Sequence, residues 1–116
     1  MIKKGLIILI IIALIVFAGC KKSDPVKDNF AKCLTEKGMK FYGAYWCPHC
    51  AREKQLFGDS FQYIMYIECS LPDRSQTKFC NDVQIKKYPT FEFGDGSRVN
   101  GEQSLEELGN KTGCTL

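Results

Sequence analysis

The chain has 116 residues, with sixteen basic and thirteen acidic side chains, one histidine and seven cysteines. Its charges of both signs are mixed, with no basic stripe or run, which leaves no footprint for the phosphate backbone of a nucleic acid. A chain of this size builds one small domain with limited stability to spare, so cross-links between its cysteines would matter.

The opening Met1-Ile2-Lys3-Lys4-Gly5 precedes thirteen apolar residues, Leu6 to Ala18, and then Gly19-Cys20. A charged start, an apolar run below the ~17 to 25 residues of a spanning helix, and small residues at its end read as an export leader over residues 1–19. Ala18-Gly19 directly before Cys20 resembles the bacterial lipobox, in which the leader is cut before the cysteine and that cysteine carries lipid. The other reading is an uncleaved membrane anchor helped by Lys3, Lys4, Lys21 and Lys22 at its ends. Both place the remainder outside the cytoplasm, held at the membrane by a tether over residues 20–24 and folding over residues 25–116. Without Lys3 and Lys4 the formal charge of that remainder is about +1. With Cys20 set aside, six cysteines remain, an even number that fits one active dithiol and two structural bridges.

Asp24 before Pro25 reads as a helix cap, and Val26, Phe30, Cys33 and Leu34 recur at helical spacing until Gly38, so a helix is expected over 25–37. Met39 to Tyr45 reads as an apolar strand, and Pro48 to Phe57 as a helix stopped by Gly58. Phe61 to Glu68 reads as a second strand, Leu71 to Thr77 as a polar loop, and Lys78 to Val83 as a short helical piece. Thr90 to Phe93 and Ser97 to Asn100 flank Gly94-Asp95-Gly96, a hairpin signal. Ser104 with Glu107 three residues on forms a capping box for a last helix ending at Gly113. The expected class is α/β, a central mixed sheet flanked by helices.

Between the first strand and second helix stands Trp46-Cys47-Pro48-His49-Cys50. Two cysteines spaced in this way can close a disulfide across the first helical turn, and Pro48 suits the first helical position, where its missing N–H would have lacked a partner anyway. Cys47 then falls at the N-cap, where unpaired N–H groups and the positive end of the helix dipole stabilise a thiolate, with His49 adding charge nearby. Cys47 is therefore the expected exposed nucleophile and Cys50 the buried resolving thiol. Trp46 reads either as core or as a shield along one edge of the dithiol. CxxC is also half of a zinc site, but the ten residues between Cys69 and Cys80 do not make the second short knuckle, so no metal is assigned. Attached haem needs a histidine where Ala51 stands, and a cysteine protease needs one from elsewhere in the chain.

The order of elements is that of the thioredoxin fold. From about Ala31 to Gly113 the chain resembles the thioredoxin-like domain that accompanies vitamin K epoxide reductase homologues. The resemblance is carried by Tyr42-Gly43-Ala44-Tyr45-Trp46-Cys47-Pro48-His49-Cys50, Glu68-Cys69, Cys80, Tyr88-Pro89-Thr90 and Ser104-Leu105-Glu106. The same Cys-Pro-His-Cys run occurs in the strongly oxidising bacterial enzyme DsbA, so His49 is expected to tune the potential. The resemblance implies that Tyr88, Pro89 and Thr90 face the dithiol and bind the substrate strand, with Pro89 following a cis peptide; an ordinary trans edge proline is the alternative. It also pairs Cys69 with Cys80, which leaves Cys33 and Cys114 for each other, as a bridge or as a second redox pair; sequence alone allows three pairings.

The activity implied is that of a thiol–disulfide oxidoreductase without a cofactor, oxidising thiols of exported proteins. Because the chain has no four-helix membrane domain of its own, the resemblance calls for a separate membrane quinone reductase of the vitamin K epoxide reductase type to reoxidise it. Two other expectations remain: a reductase or isomerase fed from the membrane, and a copper-handling lipoprotein. Thioredoxin carries a buried acid on the strand before its dithiol, where this chain has Phe41, Tyr42 and Ala44.

Overall fold

Asp24 closes the first helix by accepting hydrogen bonds from the backbone N–H groups of Val26 and Lys27, and Pro25 occupies its first turn. The structure, a computed structural model, describes residues 24–116; the leader or anchor expected over 1–19 and the lipidation expected at Cys20 lie outside them. In chain order the elements are α1 (Pro25–Glu36), β1 (Lys40–Gly43), α2 (Pro48–Phe57), β2 (Tyr66–Glu68), α3 (Lys78–Asp82), β3 (Thr90–Glu92), β4 (Arg98–Asn100) and α4 (Leu105–Thr112). A 3₁₀ segment, Gly58–Tyr63, joins α2 to β2.

The sheet runs β2-β1-β3-β4, with β2 parallel to β1 and the two later pairings antiparallel. Phe41 stands opposite Tyr66 on one side and Phe91 on the other. Alternation along β1 then divides the core. Phe41 and Phe91 face Phe30 and Leu34 of α1, Phe57 of α2 and Leu108 of α4. Tyr42 points the other way, onto Cys69, Cys80 and Ile85 beside α3. This mixed sheet with helices on both faces fits the thioredoxin-like fold.

The strand expected over Phe61–Glu68 is shorter than its apolar residues suggested. Pairing with β1 begins only at Tyr66, and Phe61 sits in the 3₁₀ turn instead. There its ring meets Phe41 edge-on at 5.9 Å and Tyr66 at 5.5 Å, so an aromatic cluster rather than a ladder buries it. The hairpin strands are likewise three residues each, because Phe93 already donates across the turn to the Ser97 carbonyl. The last helix carries the full capping box between Ser104 and Glu107, and Gly113 ends it in a left-handed conformation with φ 81°.

Two disulfides cross-link the fold. Cys33 in α1 bonds Cys114 just beyond α4, and Cys69 at the end of β2 bonds Cys80 in α3. Among the described residues, no helix is long and apolar enough to cross a membrane.

Candidate active site

The turn after β1 delivers Cys47 to the N-cap of α2, where its sulfur accepts the backbone N–H of Cys50 at 3.3 Å. A cysteine in this position takes the place of the Ser, Thr or Asp that usually satisfies a first-turn donor, and the helix N-terminus favours negative charge on it. The Cys47 thiol donates to the Tyr88 carbonyl at 3.8 Å, and the Tyr88-Pro89 peptide is cis. Cys47 and Cys50 are both free thiols.

One expectation is corrected here. Cys47 was expected to be exposed, but it is only 5% accessible, against 0% for Cys50. The cause lies in the second half of the site, since Tyr88 brings both its carbonyl and its ring against the cluster that holds Cys47. The ordering survives in weaker form, because the little access that remains belongs to Cys47.

Cys50 lies deeper, over Gly43. A Cβ at position 43 would stand 3.1 Å from the Cys50 sulfur and 2.9 Å from the Tyr66 ring, so the bare backbone is what makes room for the thiol. Burial, reinforced by its hydrogen bond with Cys47, pushes the Cys50 thiol up to about 12. At neutral pH Cys50 therefore holds its proton. Tyr66 beside it is raised as well, first by burial and then by the Glu68 carboxylate, which accepts its hydroxyl. The Lys54 ammonium lies 4.1 Å from the centre of the Tyr66 ring.

His49 points outward into a charged cluster. Its Nδ1 is 2.9 Å from Oε2 of Glu102 and 2.8 Å from Nη2 of Arg52, while Arg52 Nε donates to Glu102 Oε1 at 2.8 Å. Arginine never gives up its proton, so Nδ1 either accepts from Arg52 or, when protonated, donates to Glu102; it cannot do both. Hydrogen bonds from Arg52 first, and from His49 second, hold the Glu102 carboxyl down at about 2. The positive charge expected beside Cys47 thus comes with its own counter-charge. His49, Glu102, Tyr88, Lys87, Asn100 and Gly101 line an open cleft of about 350 Å³ between the start of α2 and the turn before Pro89.

Thr90 is buried, its hydroxyl 2.7 Å from both the Lys87 carbonyl and Asn100 Oδ1. Pro89 accepts the Gly101 N–H through its carbonyl at 2.8 Å. Trp46 is 37% exposed and meets the Tyr88 ring nearly at right angles, at 5.9 Å, so it lines the rim of the site and does not fill the core. Cys69 and Cys80 are bonded to each other, and among the described residues no three histidine, cysteine or acidic side chains converge as metal ligands.

Strand β1 carries no acid, but α2 does. Glu53 is fully buried; its Oε2 accepts the Gln103 N–H at 3.0 Å and its Oε1 has no partner. Burial first, with the charges of Glu102 and Glu107 adding, raises its carboxyl to about 7 against the pull of the Gln103 N–H. Sequence reasoning missed this residue. The available signal was its place on the stripe Cys50, Glu53, Phe57, the inward face of α2 at helical spacing.

No protein-family model matches the chain. Over 100 residues it is similar to a plant protein, the thiol-disulfide oxidoreductase LTO1 of Arabidopsis thaliana, with 38% identity. The match takes in 81% of this chain and 26% of the relative, so the chain spans about a quarter of that relative's length.

Proposed function

We propose that the chain is an extracytoplasmic thiol–disulfide oxidoreductase that oxidises thiols of exported proteins and is reoxidised by a separate membrane quinone reductase of the vitamin K epoxide reductase type. The observation that carries this reading is the asymmetry of the dithiol. Cys47 sits on a helix N-terminus with its sulfur accepting an N–H, while Cys50 is sealed behind it and held as a thiol. The similarity to a thiol-disulfide oxidoreductase supports the same chemistry. Two disulfides in so small a domain, following an apolar leader, support a location where disulfides persist.

The cycle starts from the Cys47–Cys50 disulfide. A substrate thiolate attacks the Cys47 sulfur; the Cys47–Cys50 bond breaks, a mixed disulfide forms, and Cys50 leaves and takes up a proton. A second substrate thiol, giving up its proton, attacks its own half of the mixed disulfide and closes the substrate disulfide. Cys47 departs as a thiolate, stabilised by the Cys50 N–H and the helix dipole. Two electrons and one proton have then moved to the pair, the proton on Cys50 and none on the Cys47 thiolate, and transfer of both electrons to a partner's disulfide, with release of that proton, restores it.

A Cys50→Ser variant is expected to accumulate mixed disulfides through Cys47, and Cys47→Ala to lose oxidation of a reduced test protein. Trapping through any other cysteine refutes the assignment. For direction, the thiol state of the pair is read by alkylation in cells with and without the membrane reductase. An oxidant becomes reduced when that partner is lost, whereas a domain fed with electrons becomes oxidised.

A further inference from the structure

The segment closed by the Cys69–Cys80 disulfide reaches back to the residues before Cys47 and before Pro89. Within it Ser70 and Gln76 stand opposite each other in an antiparallel bridge, and Thr77 donates to the Cys69 carbonyl at 2.8 Å. Ser70, 7% accessible, accepts the Trp46 indole N–H at 2.7 Å and donates its own hydroxyl to the Leu71 carbonyl at 2.9 Å. Gln76 accepts the Tyr88 hydroxyl at 3.0 Å, and its amide donates to the Ile85 carbonyl at 2.9 Å. Tyr45 adds a third tie, donating to the Pro72 carbonyl at 3.0 Å.

Trp46 is the residue before Cys47, and Tyr88 is the residue before Pro89. Each ring is thus pinned by one polar side chain, and the two pins are neighbours in a single cross-linked loop. We propose that Ser70 and Gln76 are positioning residues: the disulfide-closed segment is the mount that holds the touching Trp46 and Tyr88 rings as one rim beside Cys47. The claim deepens the proposed exchange activity and rests on it. Neither residue touches the sulfurs. Their effect is on how well a protein substrate fits the rim, where small displacements of positioning groups are costly, and not on the electrons of the dithiol.

The test compares Ser70→Ala and Gln76→Leu with the unmodified full chain. Trp46 is the sole tryptophan, so its emission reports directly on the rim. In the reduced protein both variants are expected to change the emission maximum and lower the anisotropy of Trp46. KM for oxidation of a reduced test protein is expected to rise roughly fivefold, the size of one net side-chain hydrogen bond. The reduction potential against glutathione and kcat are expected to stay put, and Ser70→Thr, which keeps the hydroxyl, to restore the emission and KM. Unmoved emission in both variants overturns the proposal, as does moved emission with unmoved KM, or a changed potential. An unmodified chain that exchanges no disulfides would instead refute the proposed function, a separate result, and Trp46 emission alone then judges whether the two residues hold the ring.

Discussion

A carboxyl buried with one oxygen unpartnered makes the stability of this fold depend on pH. Glu53 titrates at about 7 in the folded protein against an ordinary value of 4.5. Between those values the folded state binds more protons at this group than the unfolded chain, so its contribution is full below pH 4.5 and declines until pH passes 7. The shift corresponds to ~3 kcal/mol at most, and to about 2 kcal/mol once solvent screening near the protein surface is allowed for. Glu53→Gln removes the titration but keeps an oxygen for the Gln103 N–H, and its NH₂ stands where the neutral acid would carry its O–H. The assay is urea denaturation of both proteins at pH 4 and pH 8. Expressed as variant minus wild type, stability is expected to move in the variant's favour by about 2 kcal/mol between the two pH values, a difference in which the other titrating groups cancel. Parallel pH profiles for the two proteins would refute the reasoning.

Gly43→Ala puts a methyl group against the Cys50 sulfur and the Tyr66 ring, and is expected to cost about 1–3 kcal/mol in thermal or urea unfolding. Replacing both Cys33 and Cys114 by alanine opens a span of 81 residues, for which chain entropy gives up to about 4.5 kcal/mol; the same estimate for the 11-residue span of Cys69–Cys80 is about 3 kcal/mol. Equal losses from the two bridges would count against the entropic account. His49→Gly is expected to make the dithiol less oxidising, and Glu102→Gln more oxidising, since one removes the imidazole beside Cys47 and the other the carboxylate that faces His49 and Arg52. Potentials measured against glutathione check both signs.

What was readable in the sequence is what local chemistry controls. Asp24 with Pro25, Ser104 with Glu107, and Gly113 set helix ends through bonds spanning two to four residues, so their spacing alone announces them. The Cys47–Cys50 turn is local in the same way. Phe61 failed as a strand residue because its partners, Phe41 and Tyr66, are assembled by the sheet, and a run of apolar residues does not show whether it meets a ladder or a cluster. The surroundings of the dithiol were hidden for the same reason. Arg52 and Glu102, Trp46 and Ser70, and Tyr88 and Gln76 are separated by 50, 24 and 12 positions, and only the folded arrangement of α2, the segment 69–80 and the turns around Pro89 and Gly101 brings them together. Glu53 was missed because an acid in a helix is usually a solvent-facing residue, and the inward stripe it occupies is only two turns long.

The bond from Cys33 to Cys114 turns most of the described chain into a covalent ring. Every loop between the elements lies inside that ring, including the Pro72 turn, the turn before Pro89 and the Asp95 hairpin. A protease that cuts one of them does not release a fragment; it linearises a ring whose two pieces stay joined through sulfur. A nicked molecule would keep its mass until reduced, and its dithiol helix would remain attached to the amino-terminal piece.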